Sequence, residues 1–226
     1  MGLRKAALAV ADYEYAIRHQ LRSEFDRGEP EALIAADGGG APVVLLPGIF
    51  ETWRFLRPLA VHIHGRGHPV HVVTALERNL MAIADAAAVV AEHLQRHDLH
   101  EVTIVAHSKG GLVAKYLMAM PGVGDRIVRT IAVCTPFAGS TLARLVPFPS
   151  VRSLQPMNAE LLRLAESREV NARIVAVTGW FDPHIPNATE LEGARNIRLK
   201  AGGHFRILAS RELLDLVDEL LAEGQS

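Results

Sequence analysis

From residue 42 onward, continuous apolar runs alternate with apolar stripes of helical period. Residues 42–46, Pro-Val-Val-Leu-Leu, carry no polar side chain, as expected of a strand covered on both faces of a parallel sheet. Residues 68–73, 102–105, 129–134 and 173–178 read as further strands, and Ile197 and Leu199, alternating with Arg198 and Lys200, suit a strand at the sheet edge. Between them, Leu56, Leu59, Ala60 and Ile63 define one helix face. Leu80, Ile83, Ala84, Ala87, Val90, Ala91 and Leu94 define a second, and Leu112, Val113, Tyr116, Leu117 and Met120 a third. The last helix follows Ser210, a fitting N-cap, and buries Leu213, Leu214, Val217, Leu220 and Leu221. Strands alternating with helices in this way predict an α/β domain with a mostly parallel sheet of about six strands and helices on both faces.

Two stretches stand apart. Leu8, Tyr13, Ala16, Ile17 and Leu21 predict an amphipathic helix running to about Arg27. It reads as packed on the domain's flank, outside any catalytic pattern, with partner or membrane-surface contact as the alternative. Asp37-Gly38-Gly39-Gly40 then makes a flexible joint; it precedes a strand, so it is no dinucleotide-binding loop. The expected division is residues 1–40, N-terminal helix and linker, and 41–226, the catalytic domain. Within that domain residues 141–169 mix apolar and breaker positions. Leu142, Leu145, Val146, Phe148 and Val151 are interrupted by Pro147 and Pro149. This segment either caps an acyl pocket as a lid or packs on the sheet.

Charge narrows the function. Lys+Arg number 24 against 25 Asp+Glu, so no excess draws nucleic acid or an anionic membrane. A single cysteine, Cys134, precludes an internal disulfide. No apolar run approaches the length of a membrane span. The basic start and the Ala-rich residues 6–11 make a weak leader pattern, and the apolar spacing runs on past its cleavage-like site. A cytoplasmic location is the expectation, and the Asn187-Ala188-Thr189 sequon has meaning only in a secreted chain. His93 and His97 share a helix face, and His62, His64, His68 and His71 cluster in sequence. No zinc-type spacing or His-Glu-x-x-His order accompanies them, so no metal is expected.

The chemistry gathers at residues 106–111, Ala-His-Ser-Lys-Gly-Gly, between a buried strand and a helix. Such a passage forces a sharp turn whose apex side chain stands clear of the sheet. A Ser there, Ser108, lies over a helix N-terminus whose free N–H groups favour negative charge. The motif resembles the nucleophile elbow of the α/β-hydrolases, with Ala106 at the first Gly position, and is similar to that of small bacterial lipases and lipase-like esterases. The resemblance covers residues 42–222 or so. It implies an α/β-hydrolase fold of minimal lipase type and a serine mechanism without cofactor. Partners follow in the order Ser, acid, His. Residues 179–186, Gly-Trp-Phe-Asp-Pro-His-Ile-Pro, resemble the family's acid loop and put Asp182 in that role. Gly202-Gly203-His204-Phe205 resembles the loop of the base, His204. His184 is the rival base and Glu190 the rival acid. The oxyanion is expected to meet the backbone N–H of Lys109 and of Ile49, with Phe50 second, because Pro47-Gly48 stands where the family carries His-Gly. Phe50, Phe137 and Trp180 are the expected substrate contacts. His107 is expected to pack rather than move protons, and Cys134 to be inert.

The implied reaction is hydrolysis of a small-molecule ester or lipid through an acyl-enzyme. An acyltransferase, a thioesterase or a phospholipase shares every one of these motifs, and a catalytically silent binding module is the non-enzymatic alternative. Oligomeric state has no signature in the sequence.

Overall fold

A computed structural model of the chain describes residues 2–25, 28–35, 38–145, 147–185 and 190–223. The sequon Asn187-Ala188-Thr189, Val146 and Pro186 lie outside the described residues. The chain opens with helix α1 (Leu3–Phe25). Strand β1 (Val43–Leu46) leads through a 3-10 turn at Trp53–Leu56 into α2 (Arg57–His64). Then come β2 (Val70–Val72), α3 (Ile83–Arg96), β3 (Val102–His107) and α4 (Lys109–Met118). Strand β4 (Ile127–Val133) is followed by short helices α5 (Pro149–Arg152) and α6 (Ala159–Glu166). Strands β5 (Ile174–Gly179) and β6 (Arg195–Leu199) and helix α7 (Arg211–Glu223) complete the chain.

The six strands form one sheet in the order β2-β1-β3-β4-β5-β6, every pair parallel. β1 and β3 lie inside it and are buried along their whole length, which is why they read as unbroken apolar runs. β6 is an edge, as its alternation predicted. Side-chain alternation divides the core in two. Val44, Leu46, Ile104 and Ala106 meet α3, α4 and α6 on one face. Val43, Leu45 and Val105 meet Tyr15 of α1, α2 and α7 on the other. Ile83, Ala87, Val90, Ala91 and Leu94 of the predicted α3 stripe and Leu213, Val217, Leu220 and Leu221 of the α7 stripe are buried, whereas Leu80 precedes α3 and is exposed. The Leu213 N–H bonds to Ser210 Oγ at 3.2 Å. Among the described residues no helix is long and apolar enough to cross a membrane.

Helix α1 departs from the sequence reading. Of its expected stripe, Leu8 is buried, but Tyr13, Ile17 and Leu21 are turned outward, each more than half exposed. The helix also buries Asp12, Tyr15 and Ser23, which the stripe did not include. It is held by polar bonds from Asp12 to a loop near the C-terminal edge of the sheet, and so belongs to the site described next.

Candidate active site

Strand β3 ends at His107, and α4 begins at Lys109. Ser108 between them has φ 50° and ψ −120°, a conformation costly for any residue with a Cβ. It persists because both flanks are fixed. The Ser108 N–H donates to Val133 O of the neighbouring strand at 2.9 Å. Gly110 lets α4 press on β1: a Cβ there would lie 2.4 Å from Leu46 O. The turn presents Ser108 Oγ at the C-terminal edge of the sheet.

Two loops from later strands reach the same point. After β5, Asp182 accepts the N–H groups of His184 (2.8 Å) and Ile185 (3.0 Å) on Oδ1. Its other oxygen lies 2.7 Å from His204 Nδ1. After β6, His204 directs Nε2 to Ser108 Oγ at 3.0 Å. The loops are laced together by Trp180 N–H to Ala201 O (3.1 Å) and Gly203 N–H to Phe181 O (2.9 Å). All three side chains are nearly inaccessible to solvent. Burial alone would raise the Asp182 carboxyl, but His204 and the two N–H donors outweigh it and hold the group at about 2. It is therefore ionised at neutral pH, as an orienting acceptor for an imidazole must be.

The rivals fall elsewhere. His184 packs at a tilt against His204, ring centroids 4.9 Å apart, and lines the cavity. Burial and the neighbouring His204 push it down to about 4, so it is neutral at pH 7. It bonds to Asp182 through its backbone, and the imidazole poised on Ser108 is His204. Glu190 is exposed and lines a different cleft, with Phe137, Asn196 and Arg198.

A cavity of about 490 Å³ opens over Ser108 and His204. Its walls are mostly apolar: Ile17 of α1, Phe50 and Phe55, Leu142, Val151 and Leu154. Of the three expected substrate contacts, Phe50 lines this cavity, and Phe137 and Trp180 do not. Phe137 packs against the α3/α4 side of the core. Trp180 lies under Arg4 of α1, whose guanidinium stands 4.6 Å from the ring centre, and lines a separate cleft. Within residues 141–169, Ala143 and Leu154 touch both the cavity and the core. Leu142, Ala143, Val151 and Leu154 face the cavity, while Leu161 and Leu164 join the core beside α4. Phe148 meets Phe50 edge to face, centroids 5.5 Å apart.

The loop after β1 is braced from three sides. Gly48 N–H donates to Glu51 Oε2 at 2.7 Å, and Asn79 Nδ2 to Pro47 O at 2.8 Å. Phe50 N–H donates to Arg78 O at 2.8 Å, so Phe50 has no amide left for an oxyanion, and Ile49 is the remaining candidate beside Lys109. The Lys109 side chain, fully buried, runs back to the carbonyls of Asn79 and Met81. Burial lowers its ammonium to about 8. It thereby ties the elbow to the loop bracing Pro47 and Phe50.

Three contributors go beyond the sequence reading, which expected only packing of His107 and singled out neither Glu51 nor a site role for Asp12. Glu51 and His107, 3% and 1% exposed, form a buried pair at 2.9 Å. His107 Nε2 reaches the carbonyl of His204, also at 2.9 Å. Both ring nitrogens face oxygen acceptors, so the ring must donate twice. Burial opposes that charge, but the Glu51 carboxylate overcomes it and raises the imidazole's pKa. The pair links the loop after β1 to the loop of His204.

The third is Asp12 of α1, fully buried. Its carboxylate accepts the N–H groups of His204, Phe205 and Arg206, each at 2.9 Å. Gly203, at φ 103°, makes room: a Cβ there would stand 2.4 Å from Asp12 Oδ1. Asp12→Ala strands these amide donors and frees the His204 loop. It is expected to cost about 3 kcal/mol of stability. Urea unfolding measures the loss, and an unchanged midpoint would show that the loop holds itself.

No family model matches the sequence, and no curated protein matches it. Solved structures do resemble it. The mature lipase BlEst2 of Bacillus licheniformis superposes with a TM-score of 0.64 at 17% identity, covering 86% of this chain and 96% of that one. A structure from work on carboxylesterases of the thaumarchaeon Nitrososphaera gargenis gives 0.62 at 14%, covering 84% and 93%. An extracellular α/β-hydrolase from a Paenibacillus species gives 0.56 at 17%, covering 81% and 98%. At such identities the likeness establishes the shared fold.

Proposed function

We propose that this chain, an α/β-hydrolase by fold, is a serine hydrolase that cleaves carboxylic esters through an acyl-enzyme. The observation that carries the reading is the unbroken relay from Ser108 Oγ to His204 (3.0 Å) to Asp182 (2.7 Å) beside an apolar cavity.

The steps follow from the geometry. His204 Nε2 takes the Ser108 proton as Oγ attacks the ester carbonyl carbon. Asp182 keeps Nδ1–H facing itself, so Nε2 carries the lone pair, and it stabilises the imidazolium that forms. The carbonyl oxygen becomes an oxyanion at the N-terminus of α4, where the Lys109 and Ile49 N–H groups serve as donors. His204 then returns the proton to the leaving alkoxide, and the C–O bond to it breaks. Water, giving a proton to the same imidazole, attacks the acyl carbon; the bond to Ser108 Oγ breaks, Oγ takes that proton back from His204, and the acid leaves. Every group is supplied by the chain, and the reading calls on no cofactor. Leu142, Ala143, Val151 and Leu154 cover the acyl group.

The cavity walls select the substrate. An apolar wall stabilises each buried CH2 by about 0.8 kcal/mol, so longer acyl chains gain affinity until the cavity is filled. On p-nitrophenyl esters from acetate to palmitate, kcat/KM should climb from acetate to an optimum at a longer chain. A maximum at acetate would mean that the acyl group binds elsewhere, and no turnover of any ester would contradict the assignment as an ester hydrolase.

A further inference from the structure

His71 lies in the middle of β2, the edge strand, opposite Val44 in the register. It shares Val44's side of the sheet, the face covered by α3. There it meets His93 and His97, one turn apart at the end of α3. The three ring centroids lie 5.8, 5.5 and 4.4 Å apart. His71 Nδ1 and His93 Nε2 are both buried without a hydrogen-bond partner, and the His71 side chain is almost wholly enclosed, at 4% exposed. Of the other histidines, His184 also buries an unpaired ring nitrogen, Nε2, beside the catalytic cavity. His62, His64, His68 and His100 each direct a nitrogen to a carboxylate or a carbonyl.

We infer that His71, His93 and His97 form a binding site for one divalent transition-metal ion of the zinc, cobalt or nickel type. A buried ring nitrogen left without a partner is costly, and a cation held among the three rings would give each of them one. Three imidazoles on a tetrahedral ion, each nitrogen about 2.0–2.1 Å from it, hold their ring centres about 5 Å apart, the spacing already present. Burial and mutual repulsion lower the pKa of His71 and His93, the latter to about 4, so both lone pairs are available at neutral pH. Nitrogen donors alone select a borderline transition ion over calcium or magnesium.

As placed, the ring nitrogens do not all fall within 4.8 Å of one another. Turning a ring about χ2 exchanges nitrogen for carbon while leaving its centre in place, and the exposed His97 has room to move. The sequence hides the site because its third donor comes from a strand rather than from the helix carrying the other two. A bound ion would clamp the three-residue edge strand to α3.

The test uses the untagged full chain, stripped with chelator and titrated with ZnCl2 by calorimetry and with CoCl2 by visible absorption. One ion per chain is expected, with the d–d bands of tetrahedral Co2+ and a Tm that rises with Zn2+ by mass action. His97→Ala, at an exposed position that leaves the fold intact, and His93→Ala should abolish all three signals. A second variant resolves the competing location, because donor atoms of Cys134, Asp182 and His204 also lie within 4.8 Å of one another. His204→Ala should leave Zn2+ binding unchanged. Absence of saturable binding, binding undiminished in His97→Ala, or binding lost in His204→Ala but kept in His97→Ala would each overturn the inference.

Discussion

Ser108→Ala should lower kcat on any activated ester by about 10⁴–10⁶, leaving the residual rate that oxyanion donors and substrate binding supply by themselves. The expectation rests on position. Ser108 occupies a backbone conformation set by Val133 O, the Gly110 approach and the start of α4. An Ala there inherits the same φ of 50° and the same packing. The folded chain should therefore survive with its Tm nearly unchanged, and the loss will be chemical. KM should change far less than kcat, because the apolar walls that bind the acyl chain are untouched. A variant retaining more than about a hundredth of wild-type kcat would mean that another nucleophile, or direct attack by water, performs the reaction.

The second large effect is expected at Asp182. Asp182→Asn preserves size and can still accept the N–H groups of His184 and Ile185 on its oxygen. What then faces His204 Nδ1 is an NH2 group, which donates where the carboxylate accepted. The imidazole must turn its lone pair toward residue 182, and Nε2, now protonated, cannot take the Ser108 proton. A loss of about 10⁴ in kcat with the fold intact is expected. Steady-state kinetics beside a circular-dichroism melt separate this from unfolding. Near-normal turnover would show that His204 keeps its working tautomer without the Asp182 carboxylate.

The strands were legible because parallel strands buried on both faces leave no room for polar residues, so β1 and the first part of β3 announce themselves. Ser108, Asp182 and His204 were legible for a different reason: each follows a strand, in the chain order this fold dictates. Direction within a loop was not legible. Trp180 is two residues from Asp182 yet faces Arg4 and α1, and Phe137 faces the α3/α4 core.

Helix α1 misled most. An exposed apolar stripe and a buried acid invert the usual rule, and the inversion has a physical cause. Ile17 is kept outside because it forms the cavity wall, and Asp12 is drawn inside by the three amide donors of residues 204–206. Those donors lie nearly the full length of the chain away, so no local pattern signals them. The same holds for Glu51 with His107, and for the buried Lys109 ammonium, which reads from sequence as an ordinary solvated lysine.

The central claim is that Ser108 is a nucleophile activated by His204. A fluorophosphonate probe followed by intact-mass and peptide mass spectrometry tests it without any assumption about substrate. The account predicts one phosphonyl adduct per wild-type chain, located on Ser108, and none on Ser108→Ala. An unlabelled wild-type chain, or equal labelling of the Ser108→Ala variant, would contradict it.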